Sequence, residues 1–489
     1  MAAKNLLENL TAGAARLAGH PGLQVLLALA HDRRVQVYLV GGTVRDLALG
    51  RASPDLDLAV PAHTLELARE LARVLGGAFV LLDEGERTAR VVAGEQILDL
   101  TEFRAPTLTG DLQGRDFTIN ALALDLAEVV AGAPLTVHDP TGALQDLAAG
   151  VIRMVAPENL AQDPLRLLRA YRFAATLGFA VTPETTAAVR RFAGEFPRVA
   201  GERVHHELFL LLAAPGAASV LAAMDEAGLL CRVFPELPDL KGVEQKGFHH
   251  LDVFHHSLET VQQLEAVLAE PGRFFPDSAA EIAAYAAAPP RPALLKLAAL
   301  YHDAGKPLVR EERPHPERYT FYQHERVGGE IFAGLAQRLR LSQAEAKVVG
   351  RLIAWHMRPF LLLPLFRRGE LTVRALGRLV KAAGADLAGG FALAMADSLA
   401  GQGPLKPPDS ETALADLAAQ AFRFRAERLD PLAQAPRLLT GHDLTRVFGL
   451  TPGPRFKELL TAVEEAQWEG RVTRREEALD LVRRLLETT

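Results

Sequence analysis

GGTVRDLALGRASPDLDLAV, from Gly41 to Val60, is the stretch on which the reading of this chain turns. Asp55-Leu56-Asp57-Leu58 alternates acid and leucine, the period of a strand with one buried face. On such a strand the Asp55 and Asp57 carboxylates point to one side, with Cα atoms about 6.6 Å apart. Carboxylates that close repel each other unless a divalent cation sits between them. Phosphoryl transfer uses such a clamp to hold the attacking and leaving oxygens. Upstream, the apolar run Val35–Gly42 reads as a strand ending in Gly41 and Gly42. These glycines let backbone approach a ligand closely, and the helix that follows offers N–H groups to phosphate. Arg45 on that helix supplies charge for a polyphosphate. A third acid, Asp99, interrupts the apolar strand Ile97–Leu100, where a polar side chain is unexpected.

Outward from this stretch, Pro54–Val60 is a short strand and His63–Gly77 an amphipathic helix with Leu65, Ala68, Leu71, Ala72 and Leu75 on one face. AFVLLD, ARVVAG and QILDLTEF, between residues 78 and 103, read as three more strands. Strands interleaved with helices make an α/β unit. From about Val151 periodic Leu, Ala and Arg segments broken by Gly and Pro predict helices to the end of the chain. Breaks fall near residues 235–248, at Pro289–Pro292 and at Gly401–Ser410. The expected organisation is therefore an α+β chain. Residues 1–150 form a head with a small mixed sheet, and 151–235 a helical neck and body. Residues 236–400 form a helical domain and 401–489 a helical tail.

Composition sets the bounds. The chain has 489 residues, is 49% hydrophobic and 23% charged, and carries one cysteine, Cys231. That is material for several packed cores, and it excludes a disordered chain, a disulfide framework and a Cys-rich zinc site. The N-terminal MAAKNLLENLTAGAARLAGH reads as an amphipathic helix and not as a signal peptide. No run of about 18 uncharged apolar residues occurs, so a reducing cytoplasm and no membrane partner are expected. The net charge of −6 argues against a histone-like nucleic-acid binder but leaves room for a local basic groove.

The order Gly-Gly-x-x-Arg-Asp and then Asp-x-Asp resembles the nucleotidyltransferase superfamily that includes DNA polymerase β. Three further segments narrow the resemblance. GRDFTINALALDL (Gly114–Leu126) resembles the Arg-Arg-Asp-Phe-Thr-Ile-Asn-Ala motif of class II tRNA nucleotidyltransferases and bacterial poly(A) polymerases. HDPTGALQDLAAGVIRMV (His138–Val155) resembles their hinge segment, and QDPLRLLRAYRFAATLGF (Gln162–Phe179) their Glu-Asp-x-x-Arg helix. LLTGHDLTRVFGLTPGPRF (Leu438–Phe456) looks like their C-terminal segment. Gln162 and Gly114 depart from the family pattern, which usually has Glu and Arg there.

The resemblance implies a polymerase-β-like head in which Asp55 and Asp57 hold Mg2+ and Asp99 assists. Gly41, Gly42, Arg45, Asp46, Arg104, Arg115, Asp116 and Asn120 would bind the nucleotide. Arg115 and Asp116 would grip its ribose, and Asn120 would order their loop. Asp163 and Arg166, three apart on an expected helix face, would read the Watson–Crick edge of cytosine or adenine. Arg169 and Arg172 continue that stripe toward triphosphate or the RNA end, whereas Phe117 and Ile119 are core. The implied activity is addition of cytidine or adenosine from CTP or ATP to the 3′ end of tRNA, gripped at its acceptor stem. Only six residues, Ala105–Gly110, separate Arg104 from Asp111, where relatives that add the complete CCA usually carry a longer loop. The shortness resembles enzymes that add the two cytidines only. A bacterial poly(A) polymerase is the nearest rival, disfavoured by the mixed charge of the tail RREEALDLVRRLLETT. An RNA-binding phosphohydrolase with an idle transferase head is a second.

Eight of the 15 histidines lie between His249 and His356. His256, the His302-Asp303 pair, His324, His356 and Asp397 resemble the ligand series of HD-domain phosphohydrolases. That series implies a metal on His256, His302, Asp303 and Asp397, with His324 and His356 serving a second metal or substrate phosphate. Mixed imidazole and carboxylate ligation suits Mn, Fe, Ni, Co or Zn more than Mg2+ alone. His256 is chosen over His255 because it completes Asp-x-x-x-His before Ser-Leu. His249, His250 and His315 are expected to be solvated, and His31 and His442 to lie on the surface.

Overall fold

Leu56 and Leu58 are 5% and 1% exposed, while Asp55 and Asp57 face the other side of their strand, as the alternation requires. The computed structural model describes residues 2–53, 55–313 and 318–487; Pro54 and His315 lie outside them. The chain divides into two compact units, Met1–Leu211 with Ala223–Val233 and Leu212–Ala222 with Phe234–Thr489.

The first unit is built on a seven-stranded sheet. Its strands are β1 (Tyr38–Val40), β2 (Asp55–Val60), β3 (Ala78–Asp83), β4 (Thr88–Ala93), β5 (Gln96–Glu102), β6 (Ala123–Asp125) and β7 (Val137–His138), in the order β3-β4-β5-β2-β1-β6-β7. Neighbours are antiparallel except β2 and β5, whose parallel register sets Asp57 opposite Asp99 and Leu58 opposite Leu100. β1 is shorter than the run Val35–Gly42 suggests. Gly41, at φ +62°, turns the chain at once into the helix Gly41–Ala48. β6 and β7 escaped the sequence reading, since strands of two or three residues carry too little alternation to register. Helix Thr64–Leu75 buries Leu67, Ala68 and Leu71 completely, whereas Leu65 and Leu75 are half-buried. The buried stripe is thus rotated from the expected one and centres on Leu67 and Leu71.

After residue 151 helices dominate, with two strand pairs among the described residues. Val151–Ile152 pairs in parallel with Ala180–Val181, and Glu311–Arg313 pairs with Arg318–Thr320 in a hairpin. In the first unit the helices Leu165–Leu177 and Gly201–Ala213 bring basic and acidic side chains to the sheet. The second unit is helical apart from its hairpin. Its C-terminal helices Gly441–Phe448, Pro454–Trp468 and Arg475–Glu487 enclose a small core of Leu444, Leu459, Ala466 and Ala478. The stretches Gln343–Arg367 and Val373–Ala400 reach the length and apolarity of membrane spans by length and composition only. The second is mostly buried inside its unit, as a core helix is.

Leu71→Ala opens a cavity in a fully buried site and is expected to cost about 2–5 kcal/mol. Leu65→Ala, at a half-buried site, is expected to cost about 1 kcal/mol. Urea unfolding followed by circular dichroism measures both, and equal losses would contradict the observed stripe.

Candidate active site and candidate metal centre

A cavity of about 820 Å³ opens over the polar face of β2. Every residue read from the sequence as a transferase contact lines it: Gly41, Gly42, Arg45 and Asp46 from the glycine turn, Asp55, Asp57 and Asp99 from the strands, and Arg104 beyond β5. Arg115, Asp116 and Asn120 come from the loop before β6, and Asp163, Arg166, Arg169 and Arg172 from the helical part. Phe117 and Ile119 are fully buried.

The glycine pair belongs to this geometry. A Cβ on Gly41 would stand 2.8 Å from Arg115 Nη1, and one on Gly42 2.9 Å from Asp57 Oδ2. Thr43 ties the turn to the strand: its hydroxyl accepts from Asp57 N at 2.7 Å and donates to Asp55 O at 3.3 Å. Burial pushes the Asp57 carboxyl above the usual range, Arg115 opposes this, and Asp99 pushes it up again. Three carboxylates thus share one face with one of them penalised for its charge, the situation a bound cation relieves. The donor set, all oxygen, fits Mg2+.

The remaining contacts pre-arrange cations. Arg45 donates to Asn120 Oδ1 at 2.8 Å, and Asn120 donates to Asp116 Oδ1 at 3.0 Å. Burial works against the charge of Asp116, but Arg169, Asn120 and the Phe117 N–H outweigh it and hold the carboxyl well below its usual range. Asp116 is therefore already engaged by protein donors. Arg115 reaches Asp111 at 3.1 Å, yet its buried Nε has no partner among the described residues. Arg104 pairs with Glu86 and Arg45 with Asp46. The Arg172 guanidinium lies 3.5 Å over the Phe173 ring, with Arg45 and Arg169 also around it.

One expectation is corrected. Asp163 and Arg166 do not share a helix face: the helix begins at Leu165, and Asp163 precedes it with extended backbone at φ −134°. Pro164 forces this, because the residue before proline avoids the helical region. The two side chains still meet the same cavity. Arg166 Nη1 donates to Asn159 O at 2.9 Å and Gly114 O at 3.3 Å, which holds one side of its guanidinium.

Three lining residues were missed. Arg90 on β4 pairs with both oxygens of Asp99 (2.8 and 2.7 Å) and lies 3.4 Å from Asp55 Oδ2. It was legible only through the hairpin register that sets Arg90 opposite Asp99. Glu207, 4% exposed, pairs with Arg169 at 3.0 Å and Arg172 at 2.7 Å. Arg203 grips Asp163 at 2.8 and 3.2 Å. Eight arginines and seven carboxylates line the cavity, so its charge is nearly balanced before any ligand enters.

The second cluster lies in the second unit. His256, His302 and His356 are fully buried, and Asp303, His324 and Asp397 nearly so. His302, His324 and His356 each place Nδ1 2.7–2.8 Å from a backbone carbonyl, of Ala299, Phe321 and Ile353. Nδ1 therefore carries the proton, and each Nε2 presents a lone pair inward. His324 Nε2 and His356 Nε2 stand 3.2 Å apart, two acceptors face to face. His302 Nε2 lies 3.2 Å from Asp303 Oδ2 and 3.7 Å from Asp397 Oδ1 but is hydrogen-bonded to neither. His256 Nε2 lies 3.0 Å from Asp397 Oδ1. Without a cation, burial opposes the charge of His302, but Asp303 and Asp397 overcome it and raise the ring to about 10. Burial and the neighbouring His302 and His324 lower His356 to about 3. Converging lone pairs and an orphaned buried nitrogen fit a divalent transition metal. Gly305 secures the corner: a Cβ there would meet His324 O at 2.2 Å.

His255 faces out, paired with Asp252, which separates it from His256. His250, His31 and His442 are exposed. His249 is not solvated, contrary to expectation; its ring packs 4.4 Å from that of His256. The signal was absent from the sequence because the contact depends on a loop closing over the cluster.

Asp57→Asn removes a charge that burial disfavours. In EDTA at pH 8 it is expected to raise the melting temperature of the first unit by about 2 °C. A raised carboxyl becomes neutral as pH falls, so the gain should shrink by pH 5. Differential scanning calorimetry at the two pH values measures it, and a loss of stability at pH 8 would contradict the placement.

The Poly A polymerase head domain matches residues 37–109 and 105–153, the "Probable RNA and SrmB- binding site of polymerase A" residues 178–240, and the HD domain residues 253–388. An A-adding tRNA nucleotidyltransferase of Deinococcus radiodurans is 37% identical, over 92% of this chain and 96% of that one. A CC-adding tRNA nucleotidyltransferase of Thermus thermophilus is 36% identical, over 90% and 91%. Among solved structures, a CCA-adding enzyme with ATP shares the fold at TM-score 0.63 and 22% identity, covering 96% of this chain and 94% of its own. The Thermotoga maritima CCA-adding enzyme with tRNA does so at 0.61, covering 95% and 94%. The chain belongs to the class II tRNA nucleotidyltransferase family and carries a fused HD domain.

Proposed function

We propose that the first unit adds cytidines from CTP to the 3′ end of tRNA, and that the HD domain is a metal-dependent phosphohydrolase. The observation carrying the first part is the register that gathers Asp55, Asp57 and Asp99 on one face beneath an arginine-lined cavity. Asp55 and Asp57 would hold Mg2+, which when bound supplies charge to the attacking hydroxyl and the departing pyrophosphate. Arg45 and Arg115 hold the triphosphate so that its α-phosphorus faces the RNA 3′ hydroxyl. The new P–O bond forms there as the bond to the β-phosphate breaks, pyrophosphate leaving with those two phosphates and the hydroxyl proton passing to solvent. Asp99, fastened by Arg90, sustains the negative face. Catalysis is positioning and charge stabilisation.

Asp163 accepts from the exocyclic amine shared by cytosine and adenine, and Arg166 donates to the ring nitrogen beside it. Uracil and guanine present the reverse pattern to these groups. The short segment after Arg104 supports a single-base enzyme. Thr107 caps the helix Leu108–Gln113, accepting from Gly110 N at 3.1 Å, so little chain is left to re-set the base-reading pair. A second reading, addition of the terminal adenosine, is favoured by the similarity to the Deinococcus radiodurans A-adding enzyme. In the HD domain His256, His302, Asp303 and Asp397, with His324 and His356, would hold a divalent transition metal or Mg2+, which when bound polarises a phosphoester. Cyclic 2′,3′-phosphates and terminal phosphates at RNA ends are the proposed substrates. Residues 1–150 would perform transfer, 151–235 select the base and hold RNA, 236–400 hydrolyse, and 401–489 support the acceptor stem of tRNA in the cytoplasm.

Labelled CTP and ATP, given separately to tRNA lacking CCA and to tRNA ending in CC, test the assignment on a denaturing gel. CTP alone should lengthen the first by two residues, and ATP should extend neither. Extension of the CC-ended tRNA by ATP, with no addition of CTP to the tRNA lacking CCA, would establish the second reading, and no incorporation would refute both. Asp57→Ala should lower nucleotide addition about 10³-fold and spare phosphate release, and Asp303→Ala should do the reverse.

A further inference from the structure

Beyond the six HD-type ligands, one more imidazole reaches the cluster. The His249 ring centroid lies 4.4 Å from that of His256, with the planes 73° apart. One ligand atom each from His249, His256 and Asp397 lies within 4.8 Å of the others. His249 Nδ1 is buried and has no hydrogen-bond partner among the described residues. A buried nitrogen left unpaired is costly, so its retention calls for a partner.

The backbone holds this residue in place. Gly403 N donates to Phe248 O at 2.8 Å, and Leu405 N donates to Gly247 O at 3.0 Å. These bonds clamp the segment carrying His249 to the chain just past the helix Leu387–Ala400, the helix that carries Asp397. Two glycines permit the approach: a Cβ on Gly403 would stand 2.2 Å from Gly247 O, and one on Gly401 3.3 Å from His249 Nδ1. The neighbouring His250 points to solvent.

We propose that His249 is a further metal ligand of the HD cluster, binding a divalent transition cation together with His256 and Asp397. The inference rests on the metal-binding reading of that cluster. A nitrogen added to His256 and Asp397 shifts the donor set toward Co, Ni or Zn and away from Mg2+. His249 shares no ligand group with His324 or His356, so it acts at the corner that His256 and Asp397 define.

Full-length protein stripped with EDTA is titrated with Co2+ and followed by calorimetry and visible absorption. Wild type should bind with a d–d spectrum, His256→Ala should lose the corner site, and His249→Ala should bind at least tenfold more weakly with an altered spectrum. His250→Ala should match wild type. His249→Asn, a polar replacement, repeats the test if the alanine variant unfolds. Diethyl pyrocarbonate labelling of wild type adds a readout free of substitution: Co2+ should protect His249 and leave His250 unchanged. Wild-type Co2+ binding with an unaltered His249→Ala isotherm and spectrum would overturn this inference alone. No Co2+ uptake by wild type would overturn the metal reading and this inference with it.

Discussion

Like charges are gathered on one side of a strand and held there against their repulsion, and the head is organised around that cost. Asp55 and Asp57 share a face of β2, and the parallel register with β5 adds Asp99. Each carboxylate has its own support. Arg90 fastens Asp99 and approaches Asp55, and Thr43 fixes the backbone at Asp57. Asp57 alone carries a burial penalty without a matching ion pair, which leaves it the group that gains most from a cation. On the proposed reading, the glycine turn, the arginine-bearing helices and Glu207 would let incoming phosphate meet pre-oriented positive charge and that cation together.

The HD cluster meets the same physical problem with different groups. Two buried carboxylates, Asp303 and Asp397, face four imidazoles, three of which have their protons turned outward to backbone carbonyls. Lone pairs aimed at each other across 3.2 Å have no stable arrangement without a proton or a metal between them. The oxygen donors of the first site suit a hard cation, and the mixed nitrogen and oxygen donors of the second suit a borderline one.

Local pattern carried much of this into the sequence. Alternation made the Asp55–Val60 strand legible, and the family motifs picked out fifteen positions that line one cavity. Long-range register did not show itself: Arg90 matters only because β4 pairs with β5, and Arg203 and Glu207 only because a helix some 40 residues after Asp163 returns to it. Local backbone rules were also decisive where they were passed over. Pro164 takes Asp163 off the helix, and Gly41 ends β1 early. His249 shows the limit of exposure guesses, since a polar loop residue becomes half-buried, with its Nδ1 fully enclosed, when glycines let the loop close.

On the proposed reading Asp55 and Asp57 grip a divalent cation beneath the triphosphate. Anomalous diffraction from crystals holding Mn2+ and CTP would locate that cation. A manganese peak is expected within bonding distance of both carboxylates and of the nucleotide phosphates, lost in Asp57→Asn. Bound CTP with no peak beside these two residues, or a peak that persists in Asp57→Asn, would contradict it.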